Sequence, residues 1–143
     1  MEITGSNRVV IAFGSNLGDK EANILKAIDQ LAKSCGRVVQ VSAFYRSAPE
    51  GFISDHEFVN GCLLLLTDLN PYQLLKELQA IEMALGRIKH SAHYEDRCID
   101  LDIIFYENLC IQSPNLQIPH PRYQDRDFVL IPLQSLQLDF HPH

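Results

Sequence analysis

Hydrophobic positions along the chain follow two periods in turn, one suited to strands and one to helices. Residues 8–13 (RVVIAF) form a nearly unbroken apolar run, the pattern of a buried strand. The turn-forming run Gly14-Ser15-Asn16-Leu17-Gly18-Asp19 follows, with Asp19 placed to cap a helix. Ile24, Leu25, Ile28, Leu31 and Ala32 then recur at helical spacing, and Gly36 is the expected stop. Residues 38–46 alternate, so Val39, Val41, Ala43 and Tyr45 share one face of a half-buried strand. Residues 47–57 carry Pro and Gly without periodicity and read as a loop. Residues 58–67 are apolar and predict another buried strand. Asn70-Pro71 opens a second helix, with Asn as cap and Pro in the first position. Its stripe is Leu74, Leu75, Leu78, Ile81 and Leu85, and Gly86 ends it. Residues 99–106 predict a further strand. A short apolar run at Cys110-Ile111 and a turn or helix over 125–136 complete the pattern.

The order β-α-β-β-α-β predicts an α+β protein. Its expected form is a ferredoxin-like antiparallel sheet with helices packed on one face, in one domain over residues 1–143. That architecture hosts many chemistries and selects none.

Composition narrows the options. The chain has 143 residues, 46% hydrophobic and 21% charged, which is a globular balance. A formal charge of -6 argues against a general nucleic-acid or anionic-membrane binder. No apolar run is long enough for a membrane span and no charged-then-apolar leader opens the sequence, so a cytoplasmic protein is expected. Cys35, Cys62, Cys98 and Cys110 form no CxxC pair and read as small buried hydrophobes in a reducing compartment.

The strongest chemical signal is Asp100-Leu101-Asp102. Alternate residues of a strand point the same way, so the two carboxylates share a face with Cα atoms roughly 6.5–7 Å apart. Leu101, Ile103 and Phe105 take the opposite, core face. Paired acids repel and are poor strand formers, and a hard divalent cation such as Mg²⁺ offsets both problems. A solvated strand face, or an ion pair to Arg97, is the competing explanation. Arg87, Lys89, Arg97, Arg122 and Arg126 with His120 add cations that suit phosphate oxygens. Gln79 and Glu82, three apart on a helix, sit on the border of its apolar stripe, where a solvated flank is the ordinary reading. Gly14-Ser15-Asn16-Leu17-Gly18 follows a strand and precedes a helix but lacks the GK[ST] ending of a phosphate loop. Phe58 and Asn60 share a strand face, and Phe128 lies in a polar stretch. Two rings and an amide suit a flat heterocycle, although each Phe alone is ordinarily core.

Together these pieces resemble the 6-hydroxymethyl-7,8-dihydropterin pyrophosphokinase family of folate biosynthesis. The likeness spans nearly the whole chain. It rests on Gly14-Ser15-Asn16-Leu17-Gly18-Asp19, on Phe44-Tyr45-Arg46-Ser47-Ala48-Pro49 with Gly51, and on Phe58-Val59-Asn60. It rests equally on Ile81-Glu82 with Gly86-Arg87, on Arg97-Cys98-Ile99-Asp100-Leu101-Asp102-Ile103, and on Ile118-Pro119-His120-Pro121-Arg122 with Arg126-Asp127-Phe128.

The resemblance implies transfer of the terminal pyrophosphoryl group of ATP to the pterin hydroxymethyl oxygen, with release of AMP. It implies that Asp100 and Asp102 hold two Mg²⁺ ions and that Phe58 and Phe128 stack on the pterin. Asn60 would hydrogen-bond the pterin, helped by Ser47, Ala48 and Glu50. Gln79, Glu82, Lys89, His120 and Arg126 would line the ATP side, with Arg87 and Arg97 acting on the transferred phosphates. Asp102 would also help take the hydroxyl proton. The implied partners are ATP and the pterin, for a monomer that binds neither nucleic acid nor membrane. The chain departs from the family where an aromatic-Gly-Pro-Arg-Thr run is usual: here it reads Tyr94-Glu95-Asp96-Arg97-Cys98, and Ala48 and Glu50 differ as well. That altered run keeps a second reading open, a relative that binds nucleotide or pterin without turnover. RNA binding fails on charge and on missing strand aromatics, and the His141-Pro142-His143 tail reads as a frayed terminus.

Overall fold

A computed structural model describes residues 7–47, 57–86 and 98–140. Its elements are β1 (Asn7–Ser15), α1 (Lys20–Ser34), β2 (Arg37–Val41), β3 (Tyr45–Ser47), β4 (Phe58–Thr67), α2 (Pro71–Ala84), β5 (Asp100–Tyr106), β6 (Ile111–Ser113), β7 (Leu116–Ile118) and α3 (Asp127–Gln134). The main sheet runs β2-β4-β1-β5, with β3 also on β4, and every pairing is antiparallel. This is the strand order of a split βαβ sheet.

The middles of β1 and β4, residues 9–13 and 62–66, are apolar because these strands are central and covered on both faces. One face carries Val9, Ile11, Phe13, Leu63, Leu65, Leu101 and Ile103, packed against Ile24, Ala27 and Leu31 of α1 and Leu74, Leu78 and Ile81 of α2. The other carries Val10, Ala12, Cys62, Leu64, Ile104 and Phe105, packed against Val129, Leu136 and Phe140. α3 thus covers the face that the first two helices leave open, where helices on one face were expected.

The helix signals act as read. The Asp19 carboxylate accepts the Ala22 N–H at 3.1 Å. Asn70 and Gln73 form a reciprocal capping box around Pro71. Gly36 is needed for space: a Cβ there would lie 2.1 Å from the Leu66 carbonyl oxygen.

Several local readings change. The strand expected over 38–46 is two strands, β2 and β3, because Ser42 leaves the ladder. Its N–H donates to the Cys62 carbonyl and its hydroxyl accepts the Cys62 N–H. The pairing also shifts between Val38 and Gln40; Val38 packs on the core, whereas Val39 and Val41 are exposed on this edge strand. A shift between Val10 and Ile11 leaves Ile104 unpaired as a bulge, so Phe105 faces α3 rather than the α1/α2 core. Leu25 and Ala32 are exposed, and Ala27 takes the buried place. Cys35 and Cys62 are buried as expected, whereas Cys110 is exposed, just before the β6–β7 hairpin. Among the described residues no helix is long and apolar enough to cross a membrane.

Candidate active site

The chemistry-bearing residues gather at one end of the sheet, where β1 finishes and β4 and β5 begin. Gly14 pairs with Asn60 on one side and Asp100 on the other. Ala12 pairs in the same way with Cys62 and Asp102. Directly paired residues share a face, so Asn60, Gly14, Asp100 and Asp102 all lie on the face that α3 partly covers. Asn60 and Asp100 are two strand spacings apart, about 10 Å between Cα atoms. Gly14 leaves the space between them unfilled by any side chain of its own. The Asn60 side chain leans into that space: its Oδ1 lies 2.3 Å from where a Gly14 Cβ would be. Gly14 therefore belongs to β1 and not to a phosphate loop.

Asn60, Phe58, Asp100 and Asp102 are each half-buried. Ser47 stands directly opposite Phe58 across the β3–β4 pair. Phe128, at the start of α3, is half-buried against the apolar layer under this face. The Arg126 guanidinium lies 5.6 Å from the Phe128 ring centre, a cation–π contact.

Two polar atoms here are buried without a hydrogen-bond partner among the described residues, Asn60 Nδ2 and Arg126 Nε. Buried donors are ordinarily satisfied, so these two orphans are candidate contacts for ligand atoms.

His120 is tied down at two points. Its backbone N–H donates to the Ile104 carbonyl at 3.0 Å, and its Nδ1 accepts the Arg122 N–H at 3.2 Å. With Nδ1 accepting, the proton of the neutral ring sits on Nε2. Burial, chiefly, lowers the His120 pKa; Arg126 and Arg122 lower it further, while Asp100 opposes them. His120 is therefore a neutral donor near pH 7, within electrostatic reach of both Asp100 and Arg126.

Glu82 departs most from its ordinary sequence reading. It is only 3% exposed, and its Oε2 accepts the Leu101 N–H at 2.9 Å, between the two aspartates. Gln79, one turn earlier, stays exposed on α2. Ala48, Glu50, Arg87, Lys89 and Arg97 lie outside the described residues, as do Tyr94-Glu95-Asp96 and the His141-Pro142-His143 tail.

The donor set fits magnesium. Asp100 and Asp102 offer two carboxylates from one face of one strand. Mg²⁺ is characteristically held by one or two carboxylates plus substrate phosphates and waters.

Comparison with known proteins agrees with this geometry. A family model described as 7,8-dihydro-6-hydroxymethylpterin-pyrophosphokinase (HPPK) matches residues 10–138. The 2-amino-4-hydroxy-6-hydroxymethyldihydropteridine pyrophosphokinase of Porphyromonas gingivalis is 40% identical over 137 residues, covering 94% of this chain and 93% of that protein. Its namesake from Bacillus subtilis is 36% identical over 132 residues, covering 92% and 78%. The folic acid synthesis protein FOL1 of Dictyostelium discoideum is 43% identical over 140 residues, 96% of this chain but 21% of that longer protein. A solved structure described as HPPK-DHPS in complex with substrates superposes with a TM-score of 0.76 at 15% identity, over 97% of this chain and 41% of that one. At that identity it shows the fold.

Proposed function

The chain belongs to the 7,8-dihydro-6-hydroxymethylpterin-pyrophosphokinase family, and from that premise we propose that it transfers the pyrophosphoryl group of ATP to the hydroxymethyl oxygen of 6-hydroxymethyl-7,8-dihydropterin, releasing AMP, in folate biosynthesis. The observation that carries this reading is the row Asn60–Gly14–Asp100. It sets a buried amide donor for a heterocycle one open strand away from a carboxylate pair.

Residues 1–143 act as a single pyrophosphokinase domain. Phe58 and Phe128 hold the two faces of the pterin ring, and Asn60 pairs with its polar edge. Ser47, Ala48 and Glu50 complete the pterin side. Asp100 and Asp102 hold Mg²⁺, two ions in this reading, which when bound neutralises phosphate charge and aligns the transferred group. His120 Nε2–H and Arg126 Nε–H donate to nucleotide oxygens, in company with Gln79 and Lys89, and Glu82 lines the same side as an acceptor. Arg87 and Arg97 stabilise charge on the group in transit. Asp102 takes the proton of the attacking hydroxyl. The bond formed joins the hydroxymethyl oxygen to the β-phosphorus. The bond broken is that between the β-phosphorus and the α,β-bridging oxygen, which leaves with AMP. Catalysis is mostly positioning and charge neutralisation. The reading is of a cytoplasmic monomer, and the net charge of -6 supports its binding neither nucleic acid nor an anionic membrane.

The test is direct. Purified protein with Mg·ATP and the reduced pterin alcohol should release AMP in step with pterin diphosphate. ADP, or no AMP above a control lacking protein, overturns the reading and leaves binding without turnover.

A further inference from the structure

β5 is the edge strand of the main sheet. An edge strand turns some of its N–H and C=O groups away from its one neighbour, and these need other partners. Two such groups on β5 are taken. The Ile104 carbonyl accepts the His120 backbone N–H at 3.0 Å. The Leu101 N–H donates to the Glu82 carboxylate at 2.9 Å, a buried bond between residues 19 apart in sequence.

Position 82 is an odd place for a carboxylate. It lies in the last turn of α2, a turn that carries no basic residue and where the helix dipole disfavours negative charge. It continues the buried stripe of Leu74, Leu78 and Ile81, where an apolar side chain would fit the pattern. At 3% exposure the acid is also largely desolvated. All three costs are met by a group whose oxygen reaches the peptide between the two aspartates.

Building on the site reading above, we propose that Glu82 is a positioning residue for the carboxylate pair: its bond to the Leu101 amide fixes the peptide plane between Asp100 and Leu101. A peptide is planar, so holding that N–H sets ψ of residue 100 and φ of residue 101. Those two angles are half of the four backbone torsions that set how the Asp100 and Asp102 side chains project relative to each other. The sheet holds β5 on its inner side, and Glu82 and His120 hold it on the outer side. The pair is thereby aimed before any ligand arrives, so alignment need not be supplied by binding.

The test compares wild type with Glu82→Gln, which keeps an oxygen acceptor without the charge, and Glu82→Leu, which continues the apolar stripe and removes the acceptor. The first readout needs no ligand: deuterium exchange of the Leu101 amide in metal-free protein. The second is the Mg²⁺ concentration that half-saturates binding of a non-hydrolysable ATP analogue, measured by calorimetry. Glu82→Leu should speed Leu101 exchange by about tenfold or more, the scale of one lost hydrogen bond to a charged acceptor, and should raise the Mg²⁺ requirement by a similar factor. Glu82→Gln should stay within about threefold of wild type on both, because a neutral acceptor keeps much of that bond. Wild-type exchange and Mg²⁺ dependence in folded Glu82→Leu would overturn the proposal. So would a Glu82→Gln variant that falls as far as Glu82→Leu, because charge and not the bond to Leu101 would then matter. Wild-type binding indifferent to Mg²⁺ would instead sink the site reading, and Leu101 exchange would still report on Glu82.

Discussion

Gly14→Ala adds one methyl group at the centre of the site, and the structure states where it lands. The new Cβ would lie 2.3 Å from Asn60 Oδ1, 3.4 Å from Asn60 Cγ and 3.8 Å from the Val59 carbonyl oxygen. The last contact is ordinary, so the β1–β4 ladder need not move, and no atom of Asp100 is among the three nearest. The collision falls on the Asn60 amide, which must retreat by about 1 Å to restore van der Waals separation. Hydrogen bonds from that amide, normally near ~2.9 Å, would stretch toward ~3.9 Å and cease to be bonds. Losing two of them and stranding a buried polar group costs roughly 2–3 kcal/mol. Pterin affinity should therefore fall roughly 30- to 150-fold. Because the displaced atoms are the tip of a flexible side chain, the unfolding midpoint should stay near that of wild type. The assay is AMP release against pterin concentration at saturating Mg·ATP, repeated against ATP at saturating pterin. The expected result is a large rise in pterin KM with ATP KM within about twofold of wild type. A folded Gly14→Ala protein with ordinary pterin KM would refute the assignment of Asn60, as would a loss confined to ATP.

Three further outcomes follow from the same structure. Asp100→Ala and Asp102→Ala should each lower turnover on the order of 10²–10³-fold, the scale of losing a charge-stabilising group, while thermal unfolding shows the fold retained; near-wild-type turnover in either would exclude the metal assignment. At the other end of β1 and β5, the side-chain hydrogen bonds from Arg8, chiefly, lower the Glu107 pKa below its ordinary value of 4.5, against an opposing effect of burial. Stability from this pair is thus present above pH 4.5 and lost as the pH falls through the lowered value. Glu107→Gln should unfold at lower temperature than wild type at pH 7, converge with it in acid, and keep full activity; a constant difference down to strong acid would contradict the linkage. Iodoacetamide at pH 8 should label exposed Cys110 and spare Cys62, whose thiol burial pushes up to about 12. Mass spectrometry showing Cys62 modified in folded protein would contradict that burial.

What the sequence showed best was what local patterning controls. The span 58–67 emerges as β4 because a central strand buried on both faces carries a nearly continuous apolar run, here 61–66. Asn70-Pro71 marks the start of α2 because the cap and the first turn are local. Strand alternation alone places Asp100 and Asp102 on one face. The features that escaped depend on neighbours distant in sequence. The Ile104 bulge arises in pairing with β1, so nothing near Phe105 announces the change of face. Ser42 splits β2 from β3 through Cys62, 20 residues away. Glu82 looks like a solvated flank until α2 packs beside β5, and only then does its carboxylate meet Leu101. Gly14 likewise reads as a turn glycine until register sets it between Asn60 and Asp100.

The most direct measurement of the central claim follows phosphorus. ATP labelled at the β-phosphorus is incubated with the protein, Mg²⁺ and 6-hydroxymethyl-7,8-dihydropterin, and the products are separated. A site that aligns the pterin hydroxyl with the β-phosphorus predicts that all released label travels with the pterin and that AMP is unlabelled. Label retained on a nucleoside diphosphate would mean attack at the γ-phosphorus, and would contradict the assignment of this site as a pyrophosphokinase.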